Sequence, residues 1–378
     1  MIYFDNSATT PCLPEAGAEA LKYMTSQYFN PAAAYAPAVQ TEREVNAARA
    51  YVLSEISREP GDLIFTSCGT ESNNTAVFGS LSAMRSKGRV IVSAVEHPSV
   101  YEAAIELRER GYDVVFAPVD ATGRVRLDAL GGLVNADTRL VSIMHVNNES
   151  GAVNDINAIR ALIKKAAPDC LLHVDGVQAF MKLPPVGCDL YSVSGHKLHA
   201  PKGVGALYVK KGVRLKPYLV GGGQEAGLRS GTTNVPGIMA FSLAVRDFSA
   251  HRDEYVSGME AVRSRLYNDL SSIKDVKLNG PGPGEGAPHI LNVSFMGVRG
   301  EVLLNALSER GLMVSTGSAC AAHKRGRNRI LNAMGILGER QDGAIRFSFS
   351  HFNTVGEADA AAGIIEEQVG ILRRFKRR

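Results

Sequence analysis

Lys197 is the residue of this sequence best suited to form a covalent bond with a carbonyl compound. It follows Ser194-Gly195-His196 and precedes a Pro-Lys-Gly turn and an apolar run. A lysine amine reacts in this way only when it is neutral, so burial or cationic neighbours must lower its pKa. The Ser194 hydroxyl and the His196 ring beside it could bind a phosphate. The alternative is an ordinary solvated lysine.

Polar residues follow apolar runs elsewhere in the sequence. In HVDGVQ, a carboxylate at Asp175 can hold a protonated ring nitrogen, and Gln178 can reach a neighbouring ring substituent. In EHPSV, His97 can stack on a flat ring or transfer protons. In HVNNES, Asn147 and Asn148 occupy an equivalent position. Each motif alone is also explained by a turn or a structural histidine.

A Gly-Thr turn separates the run LIFTS, residues 63–67, from a predicted helix that begins at about Glu71. Free N–H groups and the dipole at the start of such a helix favour a bound phosphate. Thr70 adds a hydroxyl donor. The alternative is that Thr70 only caps the helix.

Considered together, these motifs supply phosphate donors, a stacking histidine, a carboxylate for a ring nitrogen and a lysine for a Schiff base. Proteins hold pyridoxal 5′-phosphate (PLP) with such groups, so the sequence predicts a PLP site. Two other interpretations are rejected. GGGQEAG, residues 221–227, lacks the preceding strand and following helix of a dinucleotide-binding turn. The histidines on either side of Lys197 make a poor metal site, so no metal is expected.

The elements that must position these residues alternate along the chain. Apolar, β-rich runs are separated by amphipathic stretches, and they read LIFTS, RVIVSAV, DVVFAPV, RLVSIMHV and CLLHV. This alternation predicts an α/β fold with a mostly parallel sheet, whose strand ends carry the ligand site. From Pro236 a long predicted helix runs to about Ser271. A Gly/Pro-rich loop and a smaller α+β pattern follow, which predicts a second, smaller domain.

Composition excludes several classes of protein. The chain has 378 residues, of which 45% are hydrophobic and 21% charged, as in globular proteins. No apolar run approaches the roughly 20 residues that cross a bilayer. The first residues lack the pattern of a signal peptide, so a cytoplasmic location without a membrane partner is expected. The net charge is +4 and no nucleic-acid-reading motif accompanies it, so no nucleic acid is expected.

The cysteines suggest one reactive thiol. There are five, an odd number without a CxxC pair, which favours neither a disulfide framework nor a zinc site. Cys320 lies in the loop-like segment STGSACAAHKRGRNR. Its basic neighbours Lys324, Arg325 and Arg327 would favour the thiolate. The alternative is an inert small residue.

The motifs, taken in order, resemble those of the cysteine desulfurases of the NifS/IscS type, which are class V aminotransferases among the fold-type I PLP enzymes. The resemblance runs from residue 3 to about residue 355 and rests on DNSATTP, FTSCGTESNN, EHPSV, HVNNESG, HVDGVQ, SGHKLHAPKGVGAL, GGGQEAGLRSGT, STGSAC and IRFS. It implies a large PLP-binding domain over residues 15–255 with a mostly parallel sheet. Residues 1–14 plus 256–378 would form a smaller α+β domain that carries the Cys320 loop.

The resemblance also implies a role for each matching residue. Lys197 would carry the Schiff base and move the substrate proton, and His97 would stack on the ring and handle protons. Arg346 would hold the substrate carboxylate, and Cys320 would accept sulfur. Cofactor contacts are implied for Gly69, Thr70, His97, Asn148, Asp175, Gln178, Ser194, His196, Lys197 and, from the second subunit of a homodimer, Thr232. Asn148 would also contact the substrate.

The implied reaction converts L-cysteine to L-alanine and leaves a persulfide on Cys320. A sulfur-acceptor protein, such as an iron–sulfur scaffold or a thiolation protein, or a small thiol would then receive the sulfur. Three features depart from the family: Cys68 replaces a glycine, Ala32-Ala33-Ala34-Tyr35 replaces a Ser-Ser-x-His stretch, and His351 replaces an arginine. Two alternatives therefore stay open. One is another class V PLP enzyme, such as a selenocysteine lyase or an aminotransferase, and the other is a scaffold-binding relative without activity.

Overall fold

Seven strands form one mixed sheet in the computed structural model, which describes residues 1–317 and 328–375. Their order across the sheet is β2-β8-β7-β6-β5-β3-β4, and only β8 runs against its neighbours. The bounds of these strands are β2 Gly61–Thr66, β3 Arg89–Ser93, β4 Asp113–Ala117, β5 Thr138–Met144, β6 Leu171–Asp175, β7 Leu190–Ser194 and β8 Gly205–Lys210. The predicted α/β fold with a mostly parallel sheet is confirmed.

Helices lie on both faces of this sheet, which explains why its strands are almost continuously apolar. In β3, Val90 and Val92 pack with the helix that follows His97, whereas Ile91 packs into the larger cluster on the other face. In β5, Leu140 and Val141 are fully buried. The helices that precede α8 are α1 Pro14–Thr25, α2 Ala36–Ile56, α3 Gly69–Asn74, α4 Ser80–Ser82, α5 Pro98–Glu109, α6 Leu127–Leu133 and α7 Ile156–Ala166.

A smaller group of elements follows the large sheet. The strands β9 Val276–Leu278, β10 Ile290–Phe295 and β12 Ala344–Ser348 form an antiparallel sheet, and β1 Ile2–Tyr3 pairs in parallel with β11 Leu312–Met313. The remaining helices are α8 Val235–Ala250, α9 Arg252–Ser271, α10 Gly300–Glu309, α11 Arg329–Ala333, α12 Gly338–Asp342 and α13 Val355–Phe375. The division into domains at residues 14/15 and 255/256 stays a prediction.

The long helix predicted from Pro236 to about Ser271 is wrong in one respect, because it is two helices. His251 separates α8 from α9 with φ −120° and ψ 18°. Its Nδ1 lies 2.9 Å from the carbonyl oxygen of Asp247, so the imidazole satisfies a carbonyl of the last turn of α8. The apolar pattern continues through this break and therefore could not reveal it. Within residues 1–317 and 328–375, no helix is both long and apolar enough to span a membrane.

Candidate active site

The parallel strands place their carboxyl ends along one edge of the large sheet, and the predicted cofactor residues follow those ends. Lys197 lies in a short 3₁₀ turn, Gly195–Lys197, directly after β7. The N-terminal segment, residues 5–10, crosses this edge. The Lys197 ammonium donates hydrogen bonds to the carbonyl oxygens of Ser7 at 2.5 Å and Ala8 at 2.6 Å.

Burial makes the Lys197 amine easier to deprotonate. Loss of hydration, together with the nearby Arg346 guanidinium, lowers the pKa of Lys197 to about 8, while Asp5 and Asp175 oppose this shift. Carbonyl oxygens satisfy the N–H groups of Lys197 without fixing its charge, as a carboxylate partner would. The amine therefore has a substantial neutral fraction near neutral pH.

Asp175 ends β6 and is 4% exposed. Its Oδ1 accepts from the backbone N–H of Val177 at 3.0 Å, and its Oδ2 accepts from Asn73 Nδ2 at 2.8 Å. Asn73 lies on α3, so this hydrogen bond ties the carboxylate to the turn between β2 and α3. A carboxylate oriented from both sides can accept a further hydrogen bond from a protonated ring nitrogen.

His97 lies at the start of α5, where its ring caps the helix. Its Nδ1 accepts from the backbone N–H of Ser99 at 3.2 Å and lies 2.8 Å from Ser99 Oγ. The same Ser99 hydroxyl accepts from Asn73 Nδ2 at 2.8 Å, which joins His97 to Asp175 through two side chains. Burial lowers the pKa of His97 against the attraction of Asp175. The ring is thus neutral at pH 7, with its proton on Nε2.

Arg329 holds the backbone that leads into His97. Its guanidinium donates to the carbonyl oxygens of Ala94 and Glu96 and lies 3.8 Å from the centre of the Tyr101 ring. Its positive charge also helps to lower the pKa of His97.

Gly69 and Ser194 supply groups suited to a phosphate. Gly69 begins α3, and a Cβ at this position would lie 2.8 Å from Val177 Cγ2 and 3.4 Å from Ser194 Cβ. Only the bare backbone fits so closely, and it presents N–H groups at a helix start. The Ser194 hydroxyl is buried and has no hydrogen-bond partner among the described residues. His196 is turned toward the N-terminal segment, with Nδ1 3.1 Å from Thr9 Oγ1.

Gln178 is buried below this edge and connects the N-terminal segment to His289, which directly precedes β10. Its Nε2 donates to the Ser7 carbonyl at 3.0 Å, and its Oε1 lies 3.3 Å from His289 Nε2. Burial holds the pKa of His289 far below its usual range. The neutral imidazole therefore donates from Nε2 and orients the amide of Gln178.

Arg346 brings a guanidinium from β12 into the same region. Its NH1 donates to the carbonyl oxygen of Asn148 at 3.0 Å and to Glu149 Oε1 at 3.2 Å, and its NH2 donates to Asp5 Oδ1 at 2.8 Å. The Arg346 Nε and the Asn148 Oδ1 are buried and have no partner in the described part of the chain. A donor and an acceptor thus remain available for a small polar ligand.

The residues present fit PLP. A bare-backbone turn and an unpartnered hydroxyl suit the phosphate, the oriented Asp175 suits a ring nitrogen, and the partly neutral Lys197 suits a carbonyl carbon. The weakest of the predicted phosphate contacts is Thr70, which is exposed inside α3 rather than at its cap; the residue before the helix is Cys68.

Some predicted residues lie apart from this group. Thr232 is exposed between β8 and α8, and within the described residues no hydrogen bond joins it to the other cofactor residues. Cys320 lies outside the described residues. Of the departures from the family pattern, Tyr35 is 54% exposed and contacts Phe29, and the His351 ring stacks on Tyr255 at 3.8 Å.

Sequence reasoning missed three side chains that organise the site: Asn73, Glu149 and Asp5. Asn73 lies in GTESNN, one helical turn from Gly69, and that spacing was a usable signal for a shared helix face. Glu149 directly follows Asn148 at a strand end, which was also visible. Asp5 had no local signal, because its partner Arg346 is 341 residues away.

Comparison with known proteins points in one direction. The family model described as aminotransferase class-V matches residues 2–360. The chain is 39% identical over 378 residues to cysteine desulfurase 2 of Trichormus variabilis, covering 99% of this chain and 94% of the relative. It is 38% identical over 384 residues to cysteine desulfurase IscS of Edwardsiella ictaluri, again covering 99% and 94%. A solved NifS-like protein superposes with a TM-score of 0.91 at 36% identity, over 98% of this chain and 99% of that one.

Proposed function

Since this chain belongs to the aminotransferase class-V family and, within it, to the cysteine desulfurases, we propose that it converts L-cysteine to L-alanine and retains the sulfur as a persulfide on Cys320. The observation that best supports the proposal is the buried Lys197 amine, whose hydrogen-bond partners in the described part of the chain are the carbonyl oxygens of Ser7 and Ala8. Cys320 lies outside the described residues, so its role rests on the sequence and on the family.

PLP is the cofactor of this proposal. Gly69, Thr70, Ser194 and His196 would hold its phosphate, Asp175 its ring nitrogen and Gln178 its ring hydroxyl, with Thr232 supplied by the second subunit of a homodimer. When bound, PLP supplies a sink for the electron pair released at the substrate carbon.

Lys197 and His97 are the proton-transfer groups of the proposal. With a pKa of about 8, the neutral Lys197 Nζ could accept a proton from the substrate carbon and, once protonated, return a proton to the product. The neutral His97 can donate from Nε2, because its Nδ1 is occupied by the Ser99 N–H. Asn73 keeps this ring and Asp175 in fixed relation through Ser99.

Arg346 and Asn148 would bind the substrate. The Arg346 Nε–H has no partner among the described residues, and together with NH2 it forms an edge that can bind a carboxylate through two hydrogen bonds. Asn148 would contact the adduct of substrate and cofactor.

Cys320 would carry the sulfur. Its thiolate attacks the substrate sulfur, the carbon–sulfur bond breaks, and the electron pair of that bond stays with the carbon, which is then protonated to give L-alanine. The sulfur remains on Cys320 as a persulfide. A sulfur-acceptor protein, such as an iron–sulfur scaffold or a thiolation protein, would take it next, and we place this exchange in the cytoplasm.

The test is to measure alanine and sulfide from L-cysteine with the PLP-loaded protein and a reducing thiol. Equal amounts are expected, and mass spectrometry before reduction should find one added sulfur atom on Cys320. Cys320→Ala should keep the yellow colour and lose sulfide production. Cys12→Ala is the matched control, since Cys12 is exposed and outside the site, and it should keep both.

Assays with other substrates separate the cysteine desulfurase from the alternative functions. A protein that releases selenium from L-selenocysteine but makes no alanine from L-cysteine would be a selenocysteine lyase. A protein that consumes an amino acid only when a keto acid is supplied would be an aminotransferase. Absence of yellow colour after PLP addition would indicate the inactive, scaffold-binding relative.

A further inference from the structure

Glu149 connects the two residues proposed to bind the substrate. It follows Asn148 in the turn after β5 and is 4% exposed. Its Oε1 accepts from Asn148 Nδ2 at 3.1 Å and from Arg346 NH1 at 3.2 Å. Its Oε2 is buried and has no partner among the described residues. Oε1 therefore orients the side chains of both Asn148 and Arg346, and Oε2 is free of hydrogen bonds from the described residues.

The remaining contacts of Arg346 leave one edge of the guanidinium for a ligand. NH1 is occupied by Glu149 and by the Asn148 carbonyl, and NH2 donates once, to Asp5. Nε is buried without a partner. A substrate carboxylate that binds to Nε and NH2 would thus be the third carboxylate around a single guanidinium.

That arrangement has an excess of negative charge. The charged groups that face Glu149 in the described part of the chain are Arg346 from β12 and Asp5 from the N-terminal segment. Burial raises the pKa of Glu149 to about 7, with Asp5 acting in the same direction and Arg346 against it. A substrate carboxylate would favour protonated Glu149 still more, because like charges disfavour ionisation.

The geometry allows a proton on Glu149 without loss of the contacts just described. Oε2 can carry the proton while Oε1 keeps both of its hydrogen bonds. Gly317 leaves room for Oε2 itself, since a Cβ there would lie 1.9 Å from that atom, and its φ of +72° suits glycine.

We propose that Glu149 positions Asn148 and Arg346 for the substrate carboxylate and binds one proton from solvent when that carboxylate enters the site. The proton returns to solvent when the product leaves. The inference rests on the proposed function, because it assumes an amino-acid substrate whose carboxylate binds to Arg346. Glu149 is a positioning residue in this account, since its contacts run to Asn148 and Arg346.

The test measures proton uptake when L-alanine binds to the PLP-loaded protein. L-alanine has the amine and the carboxylate of the substrate but no thiol. Isothermal titration in two buffers of different ionisation enthalpy gives the number of protons bound, for the wild type and for Glu149→Gln, which keeps the shape and an oxygen acceptor. At pH 8 the wild type should bind about one proton more per site than the variant.

Affinity should follow the same linkage. Relative to Glu149→Gln, the wild type should lose about tenfold in L-alanine affinity between pH 6 and pH 8, because Glu149 ionises over that range. Ethylamine, which lacks the carboxylate, should show no difference between the two proteins. Glu367→Gln is the control for the substitution itself, since Glu367 is exposed and pairs with Arg310 on the surface.

Each outcome of these measurements supports or overturns the inference about Glu149. Equal proton numbers for L-alanine in the wild type and Glu149→Gln, or an equal difference with ethylamine, would overturn the inference and leave the proposed function intact. Failure of L-alanine to bind to the wild type at either pH would overturn both. If Glu149→Gln does not fold, the wild type alone suffices: carboxylate-dependent uptake of about one proton at pH 8 supports the inference, and its absence overturns it.

Discussion

Lys197 is a lysine whose surroundings favour the neutral amine. With a pKa of about 8, about a tenth of the amine is neutral at pH 7 and about half at pH 8. Only the neutral form attacks a carbonyl carbon. We therefore expect cofactor-free protein to gain yellow colour after PLP addition at a rate that rises about fivefold from pH 7 to pH 8 and levels off above pH 9. Stopped-flow absorbance measures this rate.

Substitution of Arg346 gives a second test of the lowered pKa of Lys197. The charge of Arg346 contributes to the lowered pKa of Lys197, so Arg346→Met should move the midpoint of this pH profile upward. Arg310→Met is the control, because Arg310 is exposed and pairs on the surface with Glu367 of α13. It should leave the midpoint unchanged. A rate that is flat between pH 7 and pH 9 in the wild type would contradict this account of Lys197.

Glu96, next to His97, is a buried carboxyl that reduces stability as the pH rises. It is fully buried, and burial raises its pKa from 4.5 to about 8. Between pH 4.5 and about pH 8, Glu96 keeps a proton in the folded protein and loses it in the unfolded chain. The free energy of unfolding therefore falls by at most about 1.4 kcal/mol per pH unit over that range. Above pH 8 the loss is complete.

Glu96→Gln removes this titration while keeping an oxygen that can accept from Ser93 Oγ and the Met144 N–H. The stability of the variant relative to the wild type should therefore increase from pH 5 to pH 8 and stay constant beyond. Urea unfolding at several pH values measures it. Glu106→Gln, at an exposed residue of α5, should show no such trend, and a parallel dependence for Glu96→Gln and wild type would argue against a neutral Glu96.

At the scale of the elements, the site depends on turns that leave no room for a side chain. Gly317, after β11, has φ +72°, and a Cβ there would collide with Glu149 Oε2. Gly335, after α11, has φ +77° and nothing within 4 Å of an added Cβ. Both Gly→Ala changes should cost roughly 1–2 kcal/mol of stability through the left-handed backbone.

Only Gly317→Ala should also weaken L-alanine binding to the PLP-loaded protein, by about tenfold, because Glu149 must move away from Asn148 and Arg346. Equilibrium titration of the cofactor absorbance compares the two variants. Equal affinity in Gly317→Ala and Gly335→Ala would mean that Glu149 is not tied to the substrate site.

The sequence predicts elements well where a local pattern determines them. The predicted runs that become β2, β3, β5 and β6 are short and apolar, and the polar motifs follow them. Parallel pairing then brings those motifs together, which is why a PLP site could be predicted from their types. Asn73 and Glu149 had local signals but no obvious partner.

Other features depend on contacts between distant parts of the chain. Asp5 and the carbonyl oxygens of Ser7 and Ala8 enter the site because β1 pairs with β11 and the residues after β1 contact Ser348, both beyond residue 300. No periodicity encodes that pairing. The break at His251 depends on one side chain bonding to the carbonyl of Asp247, within a continuous apolar pattern.

For the whole molecule, the proposed homodimer makes a distinctive prediction. If Thr232 contacts the phosphate bound by the other subunit, Lys197→Ala and Thr232→Asp place both defects in one site of a mixed dimer and leave the other site intact. Each variant alone should be inactive. After unfolding and refolding of an equal mixture, about a quarter of the sites should be intact, because half of the dimers are mixed and each has one intact site.

Alanine production from L-cysteine measures this recovery, and size-exclusion chromatography with light scattering measures the dimer. Lys197→Ala mixed with Asp175→Ala is the control. Both residues belong to the site of their own subunit, so each site of a mixed dimer carries one of the two changes and no intact site can form. A mixture of Lys197→Ala and Thr232→Asp that stays inactive while forming dimers would place Thr232 in its own subunit's site, whereas activity of Thr232→Asp alone would place it outside any site.

The N-terminal segment also has a consequence for the order of biosynthesis. Its Ser7 N–H donates to Ser348 Oγ, a contact that spans 341 residues, and its carbonyl oxygens hold Lys197. The ribosome therefore releases this segment before the strands that fix it. The large sheet can form in between, but with Lys197 still unsupported. A chain terminated before Ser348 would thus be unable to assemble a competent site, so that sulfur is not mobilised before that residue has been synthesised.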